Sequence, residues 1–121
     1  MIYISGVKWI SKNAKEAEVC LSDSKFKILA FSHPFTKQIG DAISDSLYAF
    51  NSDNIYLVKD NVCLIERNGG QFEYILQGIV NDKKNNRVKI GEFIIELDKS
   101  IPIDINEGET INFTCERIDL Y

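Results

Sequence analysis

Alternation with a period of two residues runs through most of this chain and leaves little room for a helical fold. In "EAEVCL", Ala17, Val19 and Leu21 fall on one side of an extended segment and Glu16, Glu18 and Cys20 on the other. In "KFKILAF", Phe26, Ile28 and Ala30 share a face, Lys25 and Lys27 lie opposite, and Leu29 and Phe31 extend the apolar run to both faces. Successive side chains of a strand point to opposite faces of its sheet, so both stretches are predicted strands. The "SDS" between them has turn chemistry, which makes the pair a hairpin.

The same reading predicts a second hairpin from "NIYLVK" and "VCLIER", joined at Asp60-Asn61, where asparagine tolerates the positive φ of a tight turn. A third and strongest hairpin comes from "QFEYILQGIV" and "RVKIGEFIIEL" around the polar tip "NDKKNN". In "GETINFTCERIDLY" the apolar phase of Ile111, Phe113 and Cys115 changes before Ile118 and Leu120, which predicts a last strand with a bulge or bend. Helical spacing is weak: Ile39, Ile43 and Leu47 form a stripe that Gly40 interrupts, and short helical turns are expected only near Asp45 to Ala49 and Ser11 to Lys15.

One phrase occurs twice. "PFTKQIGDAI" from Pro34 and "PIDINEGETI" from Pro102 share proline, five intervening residues, glycine, an acid, one residue and isoleucine. Proline cannot donate to a ladder and ends a strand; Gly40 and Gly108 supply a turn conformation that a Cβ would penalise. Asp41 and Glu109 are expected to stay solvated, and Ile43 and Ile111 to re-enter the core. With "AEVCLSDSKFKILAF" set against "GIVNDKKNNRVKIGEF", so that Val19 meets Val80, the phrase suggests a two-fold pseudo-repeat with halves of about 15–50 and 72–121. Similar strand grammar arising without duplication is the alternative.

This grammar, a hairpin followed by a glycine-acid turn into a third strand, resembles small barrels of the oligonucleotide-binding (OB), translation-factor and riboflavin-synthase-like kinds. The resemblance is to an architecture and to no specific family. It implies an all-β single domain over residues 1–121, a small closed or partly closed β-barrel, with a two-sheet β-sandwich as the alternative. Closure would also remove the open edges of long apolar strands, which otherwise invite aggregation.

Composition narrows function more than it assigns it. The net charge of −4, without a cluster of lysine or arginine, argues against nucleic acid as a partner, because phosphate contacts need a basic footprint. Cys20, Cys63 and Cys115 are widely spaced among apolar neighbours, form no CxxC pair and are joined by one histidine only, so they are predicted to be reduced, small hydrophobes rather than metal ligands. No basic start with a long apolar run opens the chain, and no window is apolar enough to span a membrane. The expected setting is therefore cytoplasmic.

The candidate binding residues are His33 and Phe35 in "SHPF", Trp9, Tyr48 and Tyr56. Trp and Tyr are common anchors of interfaces. His33 as a general base would need an orienting carboxylate or a nucleophile, with Asp41 or Cys63 the nominal choices, and the sequence names no convincing one. The acids fall mainly in turns and do not spell a calcium loop; no phosphate loop, nucleophile elbow or zinc signature occurs. The expectation is a non-enzymatic module without cofactor or metal that binds another protein, for example as an inhibitor or immunity-type protein whose acidic loops cover a basic surface. The alternative is an OB-like barrel holding single-stranded nucleic acid or an oligosaccharide on a face with Tyr48, Tyr56 and Tyr74.

Overall fold

A computed structural model describes residues 1–70 and 72–121. Every regular element in it is a strand: β1 (Ile2–Ser11), β2 (Glu16–Ser22), β3 (Lys27–Ser32), β4 (Ala42–Ile43), β5 (Leu47–Phe50), β6 (Asp53–Val58), β7 (Leu64–Arg67), β8 (Tyr74–Asp82), β9 (Arg87–Ile90), β10 (Phe93–Leu97), β11 (Thr110–Cys115) and β12 (Arg117–Leu120). The helical turns expected near Ser11 and Asp45 are a hairpin turn and the approach to β5. In both places short-range apolar spacing loses to ladder pairing.

The strands form one mixed sheet in the order β4-β1-β2-β3-β12-β5-β10-β9-β8-β11-β6, with β7 added to β8. All neighbours are antiparallel except β3 with β12 and β10 with β5. The outermost strands β4 and β6 are not paired with each other, so the ladder remains open and the closed barrel expected from the sequence is not formed by hydrogen bonds. The sheet nonetheless has one apolar core, to which β1 gives Ile4, β8 Leu76 and β12 Ile118. A twisted sheet this wide shares a single core by curling over itself or by folding into two packed layers.

Contacts across the fold tie distant strands and loops together. The Leu29 amide in β3 donates to the Tyr74 hydroxyl of β8 at 2.8 Å. Asp23, in the β2–β3 loop, accepts from the Glu92 amide in the β9–β10 turn at 2.9 Å and from its own loop's Lys25 and Phe26 amides at 2.9 and 2.6 Å. Gly91 in that turn has φ +58°, and a Cβ there would lie 2.5 Å from the Asp23 carboxylate and 2.8 Å from the Phe26 ring. Burial raises the Asp23 carboxyl, but its backbone hydrogen bonds outweigh burial and hold it below the usual carboxylate range.

Several sequence-based pairings are corrected. "NIYLVK" and "VCLIER" are strands but not a hairpin: β6 pairs with β11, and β7 with β8. The segment between them crosses β8 instead of turning tightly, and the Val62 carbonyl is held there by Gln77 Nε2 at 2.7 Å. "RVKIGEFIIEL" is two strands, because the positive φ of Gly91 reverses the chain between Ile90 and Phe93. The phase change after Cys115 likewise separates β11 from β12, which then pair with different neighbours.

The repeated phrase takes the same local form in both copies. Asp41 N donates to Gln38 O, and Gln38 N to the Asp41 carboxylate, at 3.1 and 2.8 Å; Glu109 N donates to Asn106 O, and Asn106 N to the Glu109 carboxylate, at 3.1 and 2.7 Å. Gly40 and Gly108 have φ of +94° and +89°, and each donates to the first strand of a hairpin, at Ile4 O and Val80 O. The acids therefore cap their own turns as well as meeting solvent, and Ile43 and Ile111 are buried as expected.

The hairpins that match are not those the sequence aligns. The β1–β2 and β8–β9 turns share a Lys15 N to Lys12 O bond with an Asn86 N to Lys83 O bond, and an Ala14 N to Ser11 Oγ bond with an Asn85 N to Asp82 Oδ1 bond. Both also carry a bulge, after Trp9 and after Val80. Val80 lies in the first strand of its hairpin, as Trp9 does, whereas Val19 lies in the second strand, β2.

Candidate functional site

Four of the five proposed binding residues lie around the end of β12, where β3 finishes and β5 begins. β3 ends at Ser32, and the chain passes through exposed His33, a cis His33–Pro34 peptide and buried Phe35. The Phe35 amide is tied to Lys15 O at 2.7 Å, which brings the loop to the β1–β2 turn. There the Phe35 ring meets Trp9 edge to face, with centroids 5.7 Å apart. Trp9 keeps 40% of its surface in solvent, so it half-covers the end and half-presents a face.

The second aromatic pair is Tyr48 of β5 with Tyr121, which follows β12; their centroids are 5.0 Å apart, and Tyr121 is 73% exposed. Tyr121 walls two hollows. One, of about 210 Å³, is lined with Ser32, Pro34, Phe35 and Lys37; the other, of about 390 Å³, with Asp45, Ser46, Tyr48 and Arg87. Trp9, Phe35, Tyr121 and Tyr48 thus follow one another along a continuous rim.

Beside the rim, the outer face of β3, β12 and β5 carries an arrangement that the sequence reading missed. The Arg117 guanidinium lies 4.7 Å from the centroid of Phe31 and 4.8 Å from that of Phe50, and both of its ends engage Asp119, with Nε to Oδ1 at 2.6 Å and Nη2 to Oδ2 at 3.2 Å. Asp119 is buried, and a buried carboxylate needs such a partner. The signal was "RID": Arg and Asp two apart on a strand share a face. Arg87 at the rim is likewise held by Glu96 at 3.1 Å. Both arginines of this face are therefore already matched by carboxylates.

Tyr56 is not at this end. It lies on β6, beyond β11, and is 55% exposed. Tyr74 is buried, 3% exposed, and its hydroxyl accepts from Leu29 N; burial raises its titration point. Tyr48, Tyr56 and Tyr74 therefore do not form one platform. Among the described residues no hydrogen bond or ion pair engages the His33 ring, and Asp41 is committed to its own turn. Among the same residues no group of three His, Cys, Asp or Glu is placed to hold a metal. Among the described residues no helix is long and apolar enough to cross a membrane.

The three cysteines are free thiols; Cys115 is buried, and burial pushes its thiol up to about 12. Comparison with known proteins gives no match to a family model, to a curated protein or to a solved structure. The site's meaning rests on its own geometry.

Proposed function

We propose that this chain is a non-enzymatic binding module whose partner is another protein, gripped at the rim formed by Trp9, Phe35, Tyr121 and Tyr48. The observation that carries the reading is Tyr121 standing between two hollows, paired with Tyr48 at one and facing the Trp9–Phe35 pair across the other. Exposed Trp and Tyr beside concave surface are the usual anchors of protein interfaces. His33 and Lys37 stand at the border of this rim, and a net charge of −4 suits an inhibitor or immunity-type protein facing a basic surface.

The experiment is crosslinking capture with the wild type, Trp9→Ala, Tyr121→Ala and, as a control, Ile39→Ala at an exposed loop position. A partner kept by Ile39→Ala and lost by both rim variants is expected. A partner kept equally by all four would refute the rim as its binding site. Trp9 is the sole tryptophan, so its fluorescence then reports occupancy by the isolated partner.

A second reading, single-stranded nucleic acid or an oligosaccharide, draws on the Phe31–Arg117–Phe50 stack, since rings and guanidinium planes are surfaces on which bases and sugars lie. The pairing of Arg117 and Arg87 with carboxylates weighs against a phosphate backbone. Saturable Trp9 quenching by a homo-oligonucleotide or an oligosaccharide would favour it over a protein partner.

The finer reading of the fold belongs to the same proposal. The matched turns, bulges and glycine-acid caps support a two-fold pseudo-repeat that relates β1–β5 to β8–β12. The single core under a curled sheet supports a partly closed barrel.

A further inference from the structure

Three strands have a side that no other strand covers among the described residues. β4 is only two residues long, and β7 ends in the exposed charges of Glu66 and Arg67; both are ordinary ways of blunting an edge. β6 is not blunted. It is six residues long, contains no proline or lysine, and exposes Tyr56 and Leu57 at 55% and 47%, with Val62 beyond it at 52%.

The phase of the ladder shows which groups are open. Val80 N donates to Glu109 O, so Ile111 and Phe113 of β11 direct their amides and carbonyls to β8, and Thr110 and Asn112 direct theirs to β6. Thr110 and Asn112 face Val58 and Tyr56, which leaves the amide and carbonyl of Leu57 directed away from the sheet.

From this edge we infer that two copies of the chain pair antiparallel through β6, about a two-fold axis at Tyr56. The segment "DNIYLVK" is self-complementary when reversed on itself. With Tyr56 facing Tyr56, reversal sets Ile55 against Leu57 twice, Asn54 against Val58, and Lys59 of each copy at the Asp53 end of the other. This register sets apolar against apolar on either side of Tyr56 and brings opposite charges together at both ends. Asp53 is 70% exposed and has Lys99 at 3.9 Å, so its carboxylate remains open to a second cation. The arrangement is isologous and closes at two copies, which satisfies the edge without propagating a fibre. It does not depend on the aromatic rim, which lies at another part of the sheet.

The test is sedimentation and light scattering of the wild type, Asp53→Lys and Lys59→Glu, with circular dichroism confirming that each is folded. A concentration-dependent dimer is expected for the wild type at protein concentrations up to about 1 mM, as for a weak self-association. Each single change sets like charges opposite at both ends and weakens association about tenfold. In an equimolar mixture of the two variants, a mixed pair again sets opposite charges against each other at both ends, once as Asp53 with Lys59 and once with the two signs exchanged, and so recovers the dimer. Independently, Tyr56→Cys should form a covalent dimer on mild oxidation that the wild type does not, since directly opposed residues in such a pair have Cα atoms about 4.5 Å apart. A wild type that stays monomeric throughout, a dimer indifferent to both charge changes, or no recovery on mixing overturns the inference.

Discussion

Replacing Gly40 and Gly108 with alanine, singly and together, tests whether the repeated phrase performs the same mechanical task in both places. Their φ values, +94° and +89°, lie where an L side chain is strained, and no atom lies within 4 Å of a Cβ added at either. The cost is therefore conformational alone, about 1–2 kcal/mol at each site. The turns dock on different strands, β1 and β8, so the double variant should lose about 2–4 kcal/mol, the sum of the singles. With a urea m-value of about 1.5 kcal/mol/M, each single variant lowers the unfolding midpoint by about 1 M. Asparagine at the same positions should cost less than alanine, because it enters the left-handed region more readily. Urea denaturation followed by far-UV circular dichroism measures each of these proteins. An alanine variant within about 0.3 kcal/mol of wild type, or a difference above about 1 kcal/mol between the two sites, would refute a shared backbone requirement.

Asp23→Ala leaves three loop and turn amides without their acceptor and should cost about 3 kcal/mol near neutral pH by urea denaturation. Because the folded Asp23 carboxyl lies below its ordinary 3.8, its stabilisation is complete above that value and fades as pH falls toward the folded one. The variant's stability should accordingly fall less steeply than wild type below about pH 4, and parallel acid limbs would contradict the assignment. Tyr74→Phe removes the acceptor of the Leu29 amide, and a loss of about 1–2 kcal/mol with faster hydrogen exchange at Leu29 is expected; unchanged exchange there would count against the contact. With a thiol reagent at pH 8, half-buried Cys20 and Cys63 should be modified before Cys115, which should react only on unfolding. Rapid modification of all three in the folded protein would contradict the burial of Cys115.

Local alternation made β2, β3, β8 and β11 legible, and the phase change after Cys115 marked the break before β12. Partner choice was not legible. Asp60-Asn61 has the composition of a tight turn, yet β6 and β7 are drawn to β11 and β8, and no property of "NIYLVK" names its distant neighbour. The two parallel pairings join residues far apart in the chain, such as Phe31 with Asp119, and so leave no local trace. Gly91 was hidden inside an apolar run, where one positive φ outweighs the run's strand propensity. At the rim, each aromatic was visible but its company was not. Trp9 and Phe35 meet because Lys15 O holds the Phe35 amide, whereas Tyr56 is carried to a different edge by β6.

β12 is twelfth in the chain and yet sits in the middle of the sheet, parallel to β3 on one side and antiparallel to β5 on the other. Folding therefore cannot proceed by adding strands outward in chain order. β3 and β5 must wait with facing open edges until a segment nearly ninety positions away slots between them, a closure of high contact order that favours slow folding. A chain cut before Arg117 would keep eleven strands and lose the one that joins β3 to β5, leaving the ladder in two pieces.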